Sequence, residues 1–268
     1  MKSKIAVLLK YSLVLAVTGF HNALPAHEFW IDPVDYELSP DALIVADIKS
    51  GELFDGQTYP YMPERIVHAT LHTPDGSTPV SGEAGTYPAI NVAASGNGLQ
   101  ILTYQSTPSY HQYADFGDFQ KFLAEESLQW VEDRHEARGL DKQFTEAYTR
   151  YAKSLVKSGA GKGADYLTGM NYELVAKHNP YRCSGLQTVS VQLFDHQQTA
   201  ADMQVSVFHA PANGGEVTLT RYFTDANGLI EVPALAGEFL LGAVFMVEGS
   251  SADIAWHSHW ASLTYKVL

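Results

Sequence analysis

Short apolar segments separated by turn residues dominate the first third of the chain. Residues 66–72 alternate, with Val67, Ala69 and Leu71 on one side of a strand and polar residues on the other, since successive side chains of a strand point to opposite faces. Residues 42–48 and 99–104 have a similar character. The pattern predicts a series of short β-strands from residue 27 to about residue 102.

The apolar spacing changes in the middle of the chain and then changes back. Aromatic and aliphatic residues between 118 and 137 recur at helical intervals, and Phe144, Tyr148, Tyr151 and Leu155 also fit one helical face. Beyond residue 180 the segments 188–194, 203–209, 216–223 and 239–247 again have strand character, with a turn at residues 225–228. The spacing predicts a helical insertion over about 116–158 between two β regions.

These elements predict a mainly β fold with two antiparallel sandwich-like regions and the helical insertion. We assign residues 27–180 to an N-terminal β region that contains the insertion. Residues 181–268 are predicted to form a C-terminal sandwich of immunoglobulin or transthyretin type.

The first 26 residues have the order of parts found in a secretory signal. Lys2 and Lys4 precede an apolar run over residues 5–20, and a polar stretch then ends at the small residue Ala26. The run is too short and interrupted for a membrane span, and no later segment is long and apolar enough to be one. The pattern predicts export to the periplasm, with a mature chain that begins at His27 and has no transmembrane segment.

Charge and cysteine content narrow the possible functions. The formal net charge is −13, and loss of the leader, which holds three lysines and no acid, would change it to −16. This balance argues against nucleic acid as a partner, because phosphate binding needs clusters of Lys and Arg. Cys183 is the only cysteine, so no disulfide can form within the chain.

Motifs for nucleophilic or nucleotide chemistry are not found in the sequence. Residues 159–163 are rich in glycine, but they lack the spacing and the Ser or Thr of a phosphate-binding loop. No Gly-x-Ser-x-Gly elbow is present, and Cys183 has no sequence neighbour that would activate it. The pair Glu125 and Glu126 is interpreted as solvated on the exposed side of a helix. We therefore assign no catalytic residue.

His27 is the most informative histidine, because cleavage would give it a free α-amine beside its imidazole. The amine titrates near neutrality and can lose its proton to a metal ion. Amine and ring nitrogen together can chelate one ion, and one further histidine would complete a T-shaped set of nitrogens. Such ligands favour Cu(II), Ni(II) or Zn(II) over Mg²⁺ or Ca²⁺.

Five other histidines are candidate ligands. His257 and His259 are two residues apart in the last predicted strand, so both point to one face. His68 and His72 share the polar side of an earlier strand, and His111 precedes the predicted helices. We expect His257 or His259 to assist His27, with the other three as substitutes, although packing within the core is an equally good explanation for these rings.

Five segments of the chain are similar to those of one known family: residues 27–31 (HEFWI), 146–153 (EAYTRYAK), 178–181 (HNPY), 224–228 (TDANG) and 260–264 (WASLT). By these segments the chain resembles a periplasmic family of unknown function associated with nickel and cobalt uptake systems. The resemblance implies a β-rich periplasmic protein that handles a divalent transition metal and carries over His27 as a site residue. It implies no catalytic reaction.

Three functions of different classes are compatible with these observations. In the first, the protein binds nickel, cobalt or copper and assists uptake of the metal or its delivery to a membrane metal transporter. The second is a copper enzyme whose N-terminal histidine activates oxygen, which reductant-dependent oxygen consumption would reveal. The third is an envelope interaction module that needs no metal and binds through a sheet edge.

Overall fold

The computed structural model describes residues 28–182, 185, 187–251 and 253–268, so the leader, His27 and Cys183 lie outside the described residues. About 55% of the chain is strand and about 10% is helix. The N-terminal elements are β1 (Glu28–Pro33), β2 (Glu37–Leu38), β3 (Leu43–Glu52), β4 (Asp55–Tyr59), β5 (Ile66–Thr73), β6 (Gly76–Pro79), β7 (Ile90–Ala93), β8 (Leu99–Ser106), β9 (Ser109–Tyr113), α1 (Phe116–Glu125), α2 (Trp130–Ala137) and β10 (Phe144–Ser158).

The C-terminal elements are all strands apart from one short turn of 3₁₀ helix at Pro180–Arg182, which matches the turn at Pro63–Arg65 in the first half. They are β11 (Tyr172–Ala176), β12 (Thr188–Asp195), β13 (Gln198–Thr199), β14 (Gln204–Pro211), β15 (Thr218–Phe223), β16 (Leu229–Pro233), β17 (Gly237–Ser251) and β18 (Ile254–Val267). The mainly β fold class is confirmed, as are the predicted strands and the helical region up to residue 137.

The helical prediction for residues 144–158 is wrong. This segment is the long strand β10, and nearly all of its residues are buried. The strand is covered by protein on both faces, so apolar residues occur at odd and even positions, and Phe144, Tyr148, Tyr151 and Leu155 match a helical period by coincidence. Its β-branched and aromatic residues favour a strand. The helical insertion therefore ends with α2.

One large sheet runs through both halves of the chain. Its strands follow the order β15-β14-β17-β18-β10-β8-β5-β6, and β2 and β9 also pair with β10. The two halves meet where β10 pairs in parallel with β18, from Glu146 opposite Trp256 to Ser154 opposite Thr264. The sequence boundary near residue 180 therefore does not separate two sheets.

Two smaller layers cover the faces of this sheet. We call one face the helix-side face, which presents Glu146, Arg150, Trp256 and Trp260, and the other the far face, which presents Tyr151, Lys153, His257 and His259. The helices and the sheet of β1, β3, β4 and β7 pack on the helix-side face. The sheet of β11, β12, β13 and β16 packs on the far face.

A buried ion triad stabilises the far face. The Nζ atom of Lys153 lies 3.0 Å from Oδ1 of Asp165 and 2.5 Å from Oε1 of Glu173, and all three side chains are fully buried. Asp165 also accepts a hydrogen bond from the backbone N–H of Ala176, and Glu173 accepts two from Thr168. These contacts fasten the connection between β10 and β11 to the large sheet.

Candidate functional site

Strand β1 is held on the helix-side face at several points, which determines where the chain emerges at Glu28. Trp30 is fully buried against Phe208 and Leu240. The hydroxyl of Thr264 in β18 donates a hydrogen bond of 2.8 Å to the backbone oxygen of Ile31. Glu28 pairs with Gly51 of β3. The first described residue is therefore fixed by packing and by backbone hydrogen bonds.

The end of α1 brings a second carboxylate to the same place. Asp115 caps the start of α1 by accepting from the N–H of Gly117, at 2.8 Å. The helix stops before Ser127, whose φ of 57° leaves the helical region. Gln204 of β14 then holds this end, because it donates to the backbone oxygen of Glu125 and accepts from the hydroxyl of Ser127. Glu126 is directed into the structure as a result.

Glu28 and Glu126 line the same narrow cleft of about 10 Å³, roughly the space of one water molecule. The cleft is also lined by Gly242, Trp260 and Ser262 of the large sheet. A Cβ at Gly242 would lie 3.9 Å from Cγ of Glu28, so any larger side chain there would fill the space beneath that carboxylate. The cleft thus has room for a small ion between two acidic groups.

Both carboxyl groups hold a proton more tightly than usual. Burial raises the pKa of Glu28 to about 7, and Glu52 adds to the rise while Arg150 and Arg221 oppose it. Burial also raises the pKa of Glu126 to about 7, with the negative charge of Glu28 as a further cause. A pair of half-buried carboxylates that disfavour each other's charge is stabilised by a cation. The two groups are a candidate for holding one.

Arg150 lies beside this cleft and is nearly fully buried. Its guanidinium stands 4.2 Å from the ring centroid of Trp260 and 5.2 Å from that of Tyr148. Burial lowers the pKa of Arg150 to about 10, which leaves it charged at neutral pH. Arg150 also lines a larger cavity on the same face of the sheet.

His257 and His259 are brought together on the far face, away from Glu28. Their ring centroids are 4.1 Å apart with 27° between the planes, and His259 also stacks on Tyr172. Nε2 of His257 lies 2.9 Å from the hydroxyl of Thr149. Burial lowers the pKa of both rings, that of His259 to about 3, so both are neutral at pH 7.

This stacked geometry does not fit one shared metal ion. A metal lies in the plane of each imidazole that binds it, at about 2.0–2.1 Å from the nitrogen. Rings stacked with centroids 4.1 Å apart present their faces to each other, whereas a shared metal would need their nitrogen-bearing edges to point to one position. His257 and His259 would have to rotate before they could chelate together.

The other candidate histidines are separated from one another. His68 and His72 both lie on β5, and strand residues four apart are about 13 Å apart, too far to share an ion. Both nitrogens of His72 contact hydroxyl groups, those of Ser77 and Thr103. His111 lies opposite Glu146 on the helix-side face and packs on Tyr113. Among the described residues, no group of three or more His, Cys, Asp or Glu side chains is arranged to hold a metal.

The interpretation of Glu126 as a solvated residue on the exposed side of the helix is wrong, since this side chain is partly buried. Phe119 and Phe122 are seven and four residues before it, so Glu126 lies on the apolar face of α1. Its neighbour Glu125 is exposed as expected and pairs with Lys121 at 3.8 Å. An acidic residue on a buried helical face indicates a site or an ion pair.

The fold and this cleft define a mainly β protein with paired carboxylates where its first described strand begins. A family model described as a domain of unknown function (DUF4198) matches residues 24–246, so the chain belongs to this family.

Comparisons with other proteins add little beyond the family. No protein of established annotation matched the chain. Among solved structures, the D0-D1 domain of Intimin is 12% identical and covers 90% of this chain and 98% of its own, with a TM-score of 0.20. A score this low supports no conclusion about fold or function. Neither helix in the described part of the chain has the length and apolar character needed to span a membrane.

Proposed function

We propose that this protein binds a divalent transition metal in the periplasm at the start of β1. The observation that carries the proposal is the cleft between Glu28 and Glu126, because His27 is bonded directly to Glu28. Cleavage after Ala26 would give His27 an amine and a ring nitrogen that chelate together. Two half-buried carboxylates would then supply oxygen ligands and compensate the charge of the ion.

This ligand set suits nickel, cobalt or copper. Imidazole and amine nitrogens select late first-row metals, whereas Mg²⁺ and Ca²⁺ prefer sites made of oxygen alone. Binding would release protons, because the amine and the two carboxyl groups with raised pKa must lose theirs to coordinate. The chemistry is reversible coordination, with no bond made or broken in a substrate.

The biological role that we propose is support of nickel or cobalt uptake, or of copper handling, by delivery to a membrane metal transporter. The resemblance of residues 27–31 to periplasmic proteins of such uptake systems supports this role. A net charge of −16 after loss of the leader would also attract cations to the surface.

The neighbouring residues Glu126 and Glu125 give a matched test. Glu126→Gln keeps the size of the side chain and removes one proposed ligand charge, so we expect Ni(II) or Cu(II) affinity to fall at least tenfold, or about 1.4 kcal/mol. Glu125→Gln changes an exposed carboxylate one position away and should leave the affinity unchanged. Titration calorimetry on the chain that begins at His27 measures both. Equal affinities for the two variants would contradict the role of the cleft.

A further inference from the structure

A second cavity lies on the helix-side face, where Arg150 lines it and Phe29 lines both this cavity and the acidic cleft. Its volume is about 270 Å³, close to the lower end of the range for small-molecule sites. It lies between the large sheet and the sheet of β1, β3, β4 and β7. Its lining includes the aromatic residues Phe29, Tyr59, Tyr61, Tyr104 and Tyr148, together with Met62 and several smaller aliphatic residues.

The shape of the wall is set by side chains that are themselves held in place. Phe29 and Tyr104 pack with ring centroids 5.4 Å apart. The hydroxyl of Tyr104 donates to the backbone oxygen of Arg65 at 3.4 Å. Tyr148 packs against the guanidinium of Arg150. Aromatic walls of this kind bind flat apolar groups, since rings offer large contact areas at low cost in conformational entropy.

The charge of the cavity is opposite to that of the chain. The protein has 30 acidic and 17 basic residues, yet the charged residues that line the cavity are Arg65 and Arg150, and no Asp or Glu lines it. Arg150 is nearly fully buried and Arg65 is exposed at the rim, where it contacts the hydroxyl of Ser109 at 3.3 Å. The carboxyl groups of Glu28 and Glu146 lie near Arg150 but do not line the cavity. Within the cavity the two arginines are the charged groups, and guanidinium groups match the geometry of a carboxylate.

From this arrangement we propose that the cavity binds a small organic carboxylate with a flat, ring-shaped body. The ring contacts the tyrosines and Phe29, while the carboxylate is oriented toward Arg65 and Arg150. Ser106, Thr107 and Ser109 are polar residues that also line the cavity. The ligand is distinct from the metal, and its site needs none of the proposed metal ligands.

The test uses the chain that begins at His27, in the presence of EDTA so that no carboxylate can bind through a metal. The probes are 4-hydroxybenzoate, phenylacetate and indole-3-carboxylate, with 4-hydroxybenzamide and acetate as comparisons. We expect saturable binding of at least one of the three ring acids by titration calorimetry or ligand-observed NMR. The neutral 4-hydroxybenzamide should bind at least tenfold more weakly than the ring acid that binds best. Acetate, which has no ring, should not bind measurably.

Two arginine variants locate the site. Arg65→Gln changes an exposed residue, so the protein should fold, and affinity for the acid should fall at least fivefold. Arg182→Gln makes the same change at another exposed arginine and should have no effect. Absence of binding by all three acids, equal binding of acid and amide, or equal losses in the two variants would each overturn the proposal.

Discussion

Replacement of Lys153 by alanine should lower the free energy of unfolding by about 3–5 kcal/mol. Lys153 neutralises Asp165 and Glu173 in a fully buried triad. Without the ammonium group, two carboxylates would remain in the core at short range, and both would have to be protonated or hydrated. The connection between β10 and β11 would lose its attachment as well. Urea denaturation followed by fluorescence measures the change.

A surface ion pair supplies the control for Lys153. Lys121 and Glu125 are 3.8 Å apart on exposed turns of α1, and such pairs contribute about 0–1 kcal/mol. Lys121→Ala should therefore change the stability only slightly. If Lys153→Ala cost no more than Lys121→Ala, the triad would not have the stabilising role that its burial indicates.

The second large expected effect is a dependence of the protein's stability on pH that arises from Glu146. Burial raises the pKa of Glu146 to about 7 from an ordinary value of 4.5, although the hydrogen bond from Ser258 and the charge of Arg150 oppose the rise. Between these two values the folded protein binds more protons than the unfolded chain. Its stability therefore falls as pH rises from about 4.5 to about 7.

The variant Glu146→Gln isolates this contribution, because glutamine keeps the shape and cannot ionise. From pH 5 to pH 8 the wild-type protein should lose about 2–3 kcal/mol more stability than the variant does. Glu28 and Glu126, whose pKa values are also raised, lower the stability over the same pH range. Both residues are present in the wild-type protein and in the variant, so their contributions cancel when the two profiles are subtracted. Urea denaturation at several pH values gives the two profiles, and parallel profiles would contradict a buried, protonated Glu146.

Local patterns predicted most of the strands, most clearly where one face of the strand is distinct from the other. Ala69 and Leu71 pack in the core while His68 and His72 lie on the other side, as the alternation of β5 indicates. The helical spacing of Phe119, Phe122 and Leu123 predicted α1 in the same way.

Strand β10 could not be predicted from its own pattern. Both of its faces are buried, so the alternation is lost, and its main partner β18 lies more than a hundred residues further along the chain. The parallel pairing of these strands depends on the completed fold. A segment with apolar residues on both faces and several Tyr and Thr favours a central strand, but its length and spacing also fit a helix.

Part of the candidate site could likewise be predicted from the sequence, and part of it depends on the completed fold. The candidate role of His27 came from the predicted leader and from the chemistry of an N-terminal histidine. The role of Glu126 as the partner of Glu28 could not be predicted in this way. Glu126 belongs to a different element far along the chain and reaches the cleft through the packing of α1 on β14. Conversely, the close sequence spacing of His257 and His259 indicated a shared site, whereas their strand presents them on the face opposite Glu28.

The central claim is that the N-terminus itself is a metal ligand, and one added residue tests it. A chain that keeps Ala26 retains the imidazole of His27 but converts its amine into a peptide nitrogen. We expect Ni(II) or Cu(II) affinity, measured by titration calorimetry, to be at least tenfold lower than for the chain that begins at His27, or about 1.4 kcal/mol. Equal affinity of the two chains would show that the N-terminal amine does not bind the metal and would contradict the proposed function.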